Sequence, residues 1–260
     1  MTNLAKYKND WESLAEHDAL WAILTDESKV GGKWDLVEFM ATGEAEIETV
    51  INHLGAIGHM PDRNGAALDF GCGVGRLAQP LARRFGSVVG VDISEHMIQK
   101  AEAINRYTHC QYIVNADSKL PIPDAAFSFI YSNIALQHIP EPFSTEYLRE
   151  FVRVLAPDGV LVFGVQDHSS AGPLSSMLTR ARQLLRIRTR IKVALGRSPG
   201  DMQMHCLSEQ VVRGALGSAK VVDIQFTRTA AKDFNGKLLY LQQAPASGYV
   251  GKQYCVVKQI

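Results

Sequence analysis

The chain has 260 residues, 46% hydrophobic and 21% charged, enough to bury a full core and suited to one large domain rather than two equal ones. Lysine plus arginine equals aspartate plus glutamate at 27 each, so the overall balance gives no pull toward nucleic acid or an acidic partner. The opening MTNLAKYKND lacks the apolar core of a secretory leader, and no run nears the roughly 18 apolar residues of a membrane span, so a cytoplasmic protein is expected. Cys72, Cys110, Cys206 and Cys255 are too scattered for zinc or a disulfide framework and read as buried free thiols; no metal site is expected.

In chain order, Trp11, Leu14, Ala15 and Trp21 fall on one face of a helix predicted over 10–24 with Asp10 as its cap. A second helix is predicted after Thr42, with Ile47, Val50, Ile51 and Leu54 inward and Glu44, Glu46 and Glu48 in its early turns. Between them, Trp34 and Phe39 read either as cover for a ligand cleft or as ordinary packing. Short apolar strands follow at 66–70, 87–91, 110–114, 127–132 and 160–165, alternating with helical stripes such as Met97, Ile98, Ala101 and Tyr147, Leu148, Phe151. Ser94 and Ser208 stand where helix caps belong; 220–226 and the GKQYCVVKQI tail supply further strands. This alternation predicts an α/β protein with a parallel sheet covered on both faces.

One segment breaks the rhythm. Residues 172–200 hold seven basic residues from Arg180 to Arg197, with no Asp or Glu between Asp167 and Asp201. They read as an inserted basic amphipathic helix: a plain solvated helix, a peripheral membrane contact through 174–197, or a lid over an acidic substrate.

The stretch AALDFGCGVGRLAQPLARRFGSVVGVD, 66–92, joins a strand, a glycine turn, a helix and a second strand ending in Asp92. A dinucleotide fold would place its third glycine at 76, where Arg76 stands, and the GxxxxGK of a phosphate loop is absent. What remains is Asp69-x-Gly71-x-Gly73-x-Gly75, with acids at the ends of apolar strands where a ligand gives them a reason to be.

With LDFGCGVG, VVGVDIS, NADSKLPIPDAAFSFIYS and LREFVRVLAPDGVLVF in this order, the chain resembles the class I methyltransferases that use S-adenosylmethionine. LQHIP resembles their small-molecule branch, which acts on quinones, lipids, sugars and natural products. The resemblance covers 34–167 and implies a Rossmann-like, seven-stranded sheet with an antiparallel last strand. It divides the single domain into an N-terminal helical lid (1–58), a cofactor-binding core (59–168), the basic insert (169–206) and the C-terminal part of the sheet (207–260). It also implies cofactor roles: Gly71, Cys72 and Gly73 for close backbone approach, Asp69 for the cofactor ammonium, Asp92 for the ribose hydroxyls, and Ile93 and Met97 against the adenine. Ala116, Asp117 and Ser118 would meet the adenine edge, with Asn133 and Gln137 near the methionine end. Arg76 reads equally as partner of the cofactor carboxylate or as a surface ion pair. Asp158 stands where relatives place glycine, which a turn tolerates.

A hydroxyl acceptor needs a base, and His138 and His205 are the candidate catalytic residues, with His168 a weaker third. The expected acceptor is a hydroxyl of a sugar, lipid or quinol, acidic or lipid-linked if the insert takes part. A nucleic-acid methyltransferase using the insert and a non-catalytic S-adenosylmethionine-binding module are the rival readings. The Asn133-Ile134-Ala135-Leu136 stretch, which lacks the prolines of nucleobase enzymes, argues against the first.

Overall fold

Apolar runs bounded by turn residues become the strands of one sheet: β1 Ala66–Phe70, β2 Ser87–Asp92, β3 Cys110–Val114, β4 Phe127–Ser132, β5 Leu155–Ser169, β6 Lys220–Thr227 and β7 Tyr249–Val257. The computed structural model describes residues 4–169, 202–231 and 234–259. Most of the predicted basic insert, the 174–197 stretch included, lies outside the described residues.

The strand order is β3-β2-β1-β4-β5-β7-β6. The first five strands pair in parallel, and β7 runs antiparallel to both β5 and β6. The chain therefore winds one way from β1 through β2 to β3 and the other way from β4 onward. The carboxyl ends of β1 and β4 part at that switch, which is where open sheets of this kind bind ligands. β5 is longer than the predicted 160–165: it starts at Leu155, and Asp158, at φ 59°, turns its amide to the Lys258 carbonyl at 2.8 Å.

Helices cover both faces. On one, α5 (Glu141–Val154) and α6 (Glu209–Leu216) bury Tyr147, Leu148, Phe151, Val212 and Leu216 against Phe70, Leu161 and Phe163. On the other, α2 (Leu36–Ala56) and α3 (Ala78–Ala82) bury Ile47, Val50, Leu54, Leu77 and Leu81 against Ala67, Phe129 and Tyr131. Burial of each such side chain is worth about 1.5–3 kcal/mol. Ser94 caps α4 (Glu95–Ile104) and Ser208 caps α6, each hydroxyl accepting the amide three residues on.

Two helix boundaries depart from the sequence expectation. α1 (Leu4–Ile23) begins at Leu4 rather than Asp10 and is interrupted at Asp18, whose carboxylate takes the amides of Trp21, Gly31 and Gly32. α2 begins at Leu36 rather than after Thr42, because Asp35 caps the Glu38 amide at 2.9 Å. Trp34 and Phe39 pack edge to face inside a cluster with Leu14, Leu24, Val74 and Met97; packing, not cover, is their role. Among the described residues, no helix is long and apolar enough to cross a membrane.

Candidate functional site

The glycine turn after β1 builds the floor of the site. Gly71 lies at φ 76°, which L side chains rarely adopt, and a Cβ there would collide with that of Ala135 in the loop after β4. The amides of Gly71 and Cys72 both turn to the Val91 carbonyl. The Gly73 amide donates to Asp92 Oδ2 at 2.8 Å, while Asp92 Oδ1 takes the Ser94 amide at 2.9 Å. Asp92 thus fixes the turn as well as facing the cavity, and burial raises its pKa against the opposing pull of these amides.

Above this floor opens a cavity of about 970 Å³ including its mouth, lined mainly by apolar groups. The turn contributes Gly71, Cys72, Gly73 and Arg76; β2 and its loop contribute Asp92, Ile93 and Met97; the loop after β4 contributes Asn133, Ile134, Ala135 and His138. Ile134, β-branched yet at φ 66°, is strained there. The roof is α1, with Leu4, Tyr7, Trp11 and Ile23, rather than Trp34 and Phe39. α1 is tied down by Glu12, whose carboxylate accepts from the Ser94 hydroxyl (2.8 Å), the Glu95 amide (2.7 Å) and His96 Nδ1 (2.7 Å) at the start of α4. Lys8 adds an ion pair to Glu95.

Behind the turn lies a polar cluster. Asp69 is fully buried and neither of its oxygens has a well-formed hydrogen-bond partner. Burial pushes its pKa up to about 8, with Arg76 pulling the other way and Glu46 and Asp92 adding to the rise. Arg76 is 2% exposed and is neither solvent-facing nor a surface ion pair: its Nη2 meets Glu46 at 2.8 Å, its Nη1 meets the Thr42 hydroxyl at 3.3 Å, and its Nε is buried without a partner. Glu46, read from sequence as an acid of an early helical turn, is 0% exposed and also accepts from Tyr131 (2.8 Å) and Asn133 (2.7 Å).

The other candidates are spread more widely. Ala116, Asp117 and Ser118 border an adjoining depression with Leu4, Lys8 and Phe143, while their neighbour Asn115 lines the cavity itself. The position of Asn115, one residue past the strand that pairs Val114 with Asp92, was the available signal. Gln137 lies behind the wall, accepting from Gln166 at 2.7 Å. His138 lines the cavity, edge to face with Trp11. Its Nδ1 carries the proton to the Gln203 carbonyl at 2.9 Å, Gln137 Nε2 approaches Nε2 at 3.2 Å, and burial drops its pKa to about 4. His205 sits behind Tyr7, with Nε2 buried and unpartnered and its pKa lowered first by burial. His168 is exposed and paired with Asp167, away from the cavity.

Residues 68–163 match the methyltransferase domain family. The match runs from β1 into β5, and the fold is one that solved methyltransferases share. The magnesium protoporphyrin IX methyltransferase of Synechocystis PCC 6803, solved with bound S-adenosylhomocysteine, superposes over 97% of this chain and 98% of its own with a TM-score of 0.59 at 17% identity. Among curated relatives, the 24-methylenesterol C-methyltransferase 2 of Oryza sativa is 36% identical over 100 residues, covering 36% of this chain and 27% of that protein. The malonyl-[acyl-carrier protein] O-methyltransferase of Halorhodospira halophila is 37% identical over 99 residues, 37% of this chain and 33% of that protein. Each of these two sequence matches thus spans a third or less of the curated relative's length.

Proposed function

We propose that the cavity binds S-adenosylmethionine and that the chain transfers its methyl group to a small-molecule acceptor. The observation that carries this reading is the buried carboxylate of Asp69, orphaned beside the glycine turn: a cationic amino group is the partner that would relieve it. Arg76, with a free buried Nε, suits the carboxylate of the same amino-acid end. Asp92 retains lone pairs for ribose hydroxyls, and Ile93 and Met97 offer apolar surface for a nucleobase. Asn115 rather than Asp117 lines the cavity next to them.

When bound, the cofactor supplies a methyl group activated by its sulfonium charge. The chain's own work is then alignment and exclusion of water, by the apolar roof of Leu4, Tyr7, Trp11 and Ile23. The acceptor side, with Tyr7, Trp11, His138 and Ile139, suits an uncharged, largely apolar molecule. A hydroxyl oxygen is our proposed target, although the relatives include both C- and O-methyltransferases. His138 is neutral at pH 7 and a weak base in this state, with its Nε2 engaged by Gln137; His205 has the free nitrogen. We assign the base to His205 acting next to Tyr7, with His138 orienting the acceptor.

The test is a screen of cell extract with cofactor carrying an isotopically labelled methyl group, read by mass spectrometry. A labelled small molecule with a new methoxy group supports the reading; label on carbon moves the target from oxygen, and label on nucleic acid alone overturns the acceptor class. With the acceptor in hand, His205→Ala should lower kcat by about 10²-fold or more with little change in cofactor affinity; an unchanged kcat removes His205 as the base.

A further inference from the structure

The cluster behind the glycine turn contains two buried acids, Asp69 and Glu46, and one cation, Arg76. Arg76 is the charge that most favours ionised Asp69 across the cluster. Yet neither Asp69 oxygen has a well-formed hydrogen bond, and Arg76 is held elsewhere: Glu46 takes Nη2 and Thr42 takes Nη1, both from α2. Gly43 lets α2 come this close, since a Cβ at 43 would strike the Arg76 carbonyl. Tyr131 and Asn133 donate to the other oxygen of Glu46, so its carboxylate is anchored from β4 as well.

We propose that Glu46 is a positioning residue of this site: by binding Arg76 it keeps the guanidinium from closing on Asp69, and so leaves the Asp69 carboxylate open to the cationic group of a ligand. Nothing in the local sequence marks it, as Glu44 and Glu48 flank it on the same helix. A purely structural ion pair would need no third, orphaned acid beside it; a buried carboxylate without a partner is costly, and a device that preserves it has a use in binding. Without the Glu46 charge, Arg76 would be left with Asp69 as the buried acid that it already favours electrostatically.

This inference rests on the cofactor reading above, and its test separates the two. Isothermal calorimetry compares S-adenosylhomocysteine with 5′-methylthioadenosine, which keeps the nucleoside and thioether but lacks the amino-acid group. Wild type is expected to bind both. Glu46→Gln should weaken S-adenosylhomocysteine at least tenfold and leave methylthioadenosine within about twofold. Wild-type affinity of E46Q for S-adenosylhomocysteine, or an equal loss of both probes, overturns the proposal, the latter because it marks general loosening. Failure of the wild type to bind S-adenosylhomocysteine overturns the cofactor reading itself and this inference with it. A second comparison does not depend on E46Q folding: Arg76→Gln removes the cation that Glu46 restrains, so R76Q and the charge-balanced R76Q/E46Q double variant should bind S-adenosylhomocysteine alike. A further loss beyond about threefold in the double variant would show Glu46 acting without Arg76 and contradict the proposal.

Discussion

Asp69 sets the pH behaviour of the site. Its folded pKa of about 8 stands far above the ordinary carboxylate range because burial penalises the charge more than Arg76 favours it. A group raised in this way adds stability that is full below its unfolded pKa and is lost as pH rises through 8. Asp69→Asn removes the titration, so the melting temperature of the variant should gain on wild type as pH goes from 5 to 8, measured without ligand; a constant gap contradicts the buried acid. Binding has the opposite sign. A cationic ligand needs the ionised carboxylate, so S-adenosylhomocysteine affinity should rise from pH 6 to 7.5, by at most about tenfold per unit, and D69N should abolish that slope. Asp69 and Asp92 stood out because acids ending apolar strands are anomalous, whereas Glu46 was hidden among three acids of one helix and is buried where α2 packs on the glycine turn at Gly43.

At the scale of elements, α1 roofs the cavity and α2 backs the glycine turn. α1 is latched by Glu12, which gathers a hydroxyl, two amides and a histidine at the start of α4. Glu12→Ala should therefore loosen the roof, with faster amide exchange across 4–17 and a several-fold faster cofactor off-rate; unchanged exchange would show the apolar contacts suffice alone. α2 leans on the glycine turn through Gly43. In an exposed helix Gly→Ala gains about 1 kcal/mol, but here the new methyl meets a backbone carbonyl, so Gly43→Ala should destabilise by about 2 kcal/mol or more in denaturant unfolding. Strand positions were readable because parallel strands buried on both faces are apolar runs between turn residues. Helix starts were less so: α1 has no side-chain cap to announce Leu4, and the Asp35 to Glu38 cap of α2 was masked by the glycines that precede it. Trp34 and Phe39 show the same limit, since an aromatic in a linking segment carries no mark of whether it faces a cavity or a core.

At the scale of the molecule, the sheet reverses its winding between β1 and β4, and every group assigned to the ligand sits at or near that switch: the glycine turn, Asp92, Asn115 and the loop from Asn133 to His138. The topology was legible through the resemblance of ordered motifs, and the matching family segment, 68–163, covers the same strands. The proposed acceptor was not legible, because α1, which roofs the cavity, carries no motif, and the LQHIP loop after β4 points to a branch and not to one molecule. The central claim, that this cavity is built for S-adenosylmethionine, is tested most directly by titrating the protein with S-adenosylhomocysteine in a calorimeter at pH 7.5. The account predicts one site per chain with a dissociation constant of about 1–100 μM, weakened at least tenfold by D69N. No measurable heat and no thermal stabilisation at millimolar ligand would contradict it.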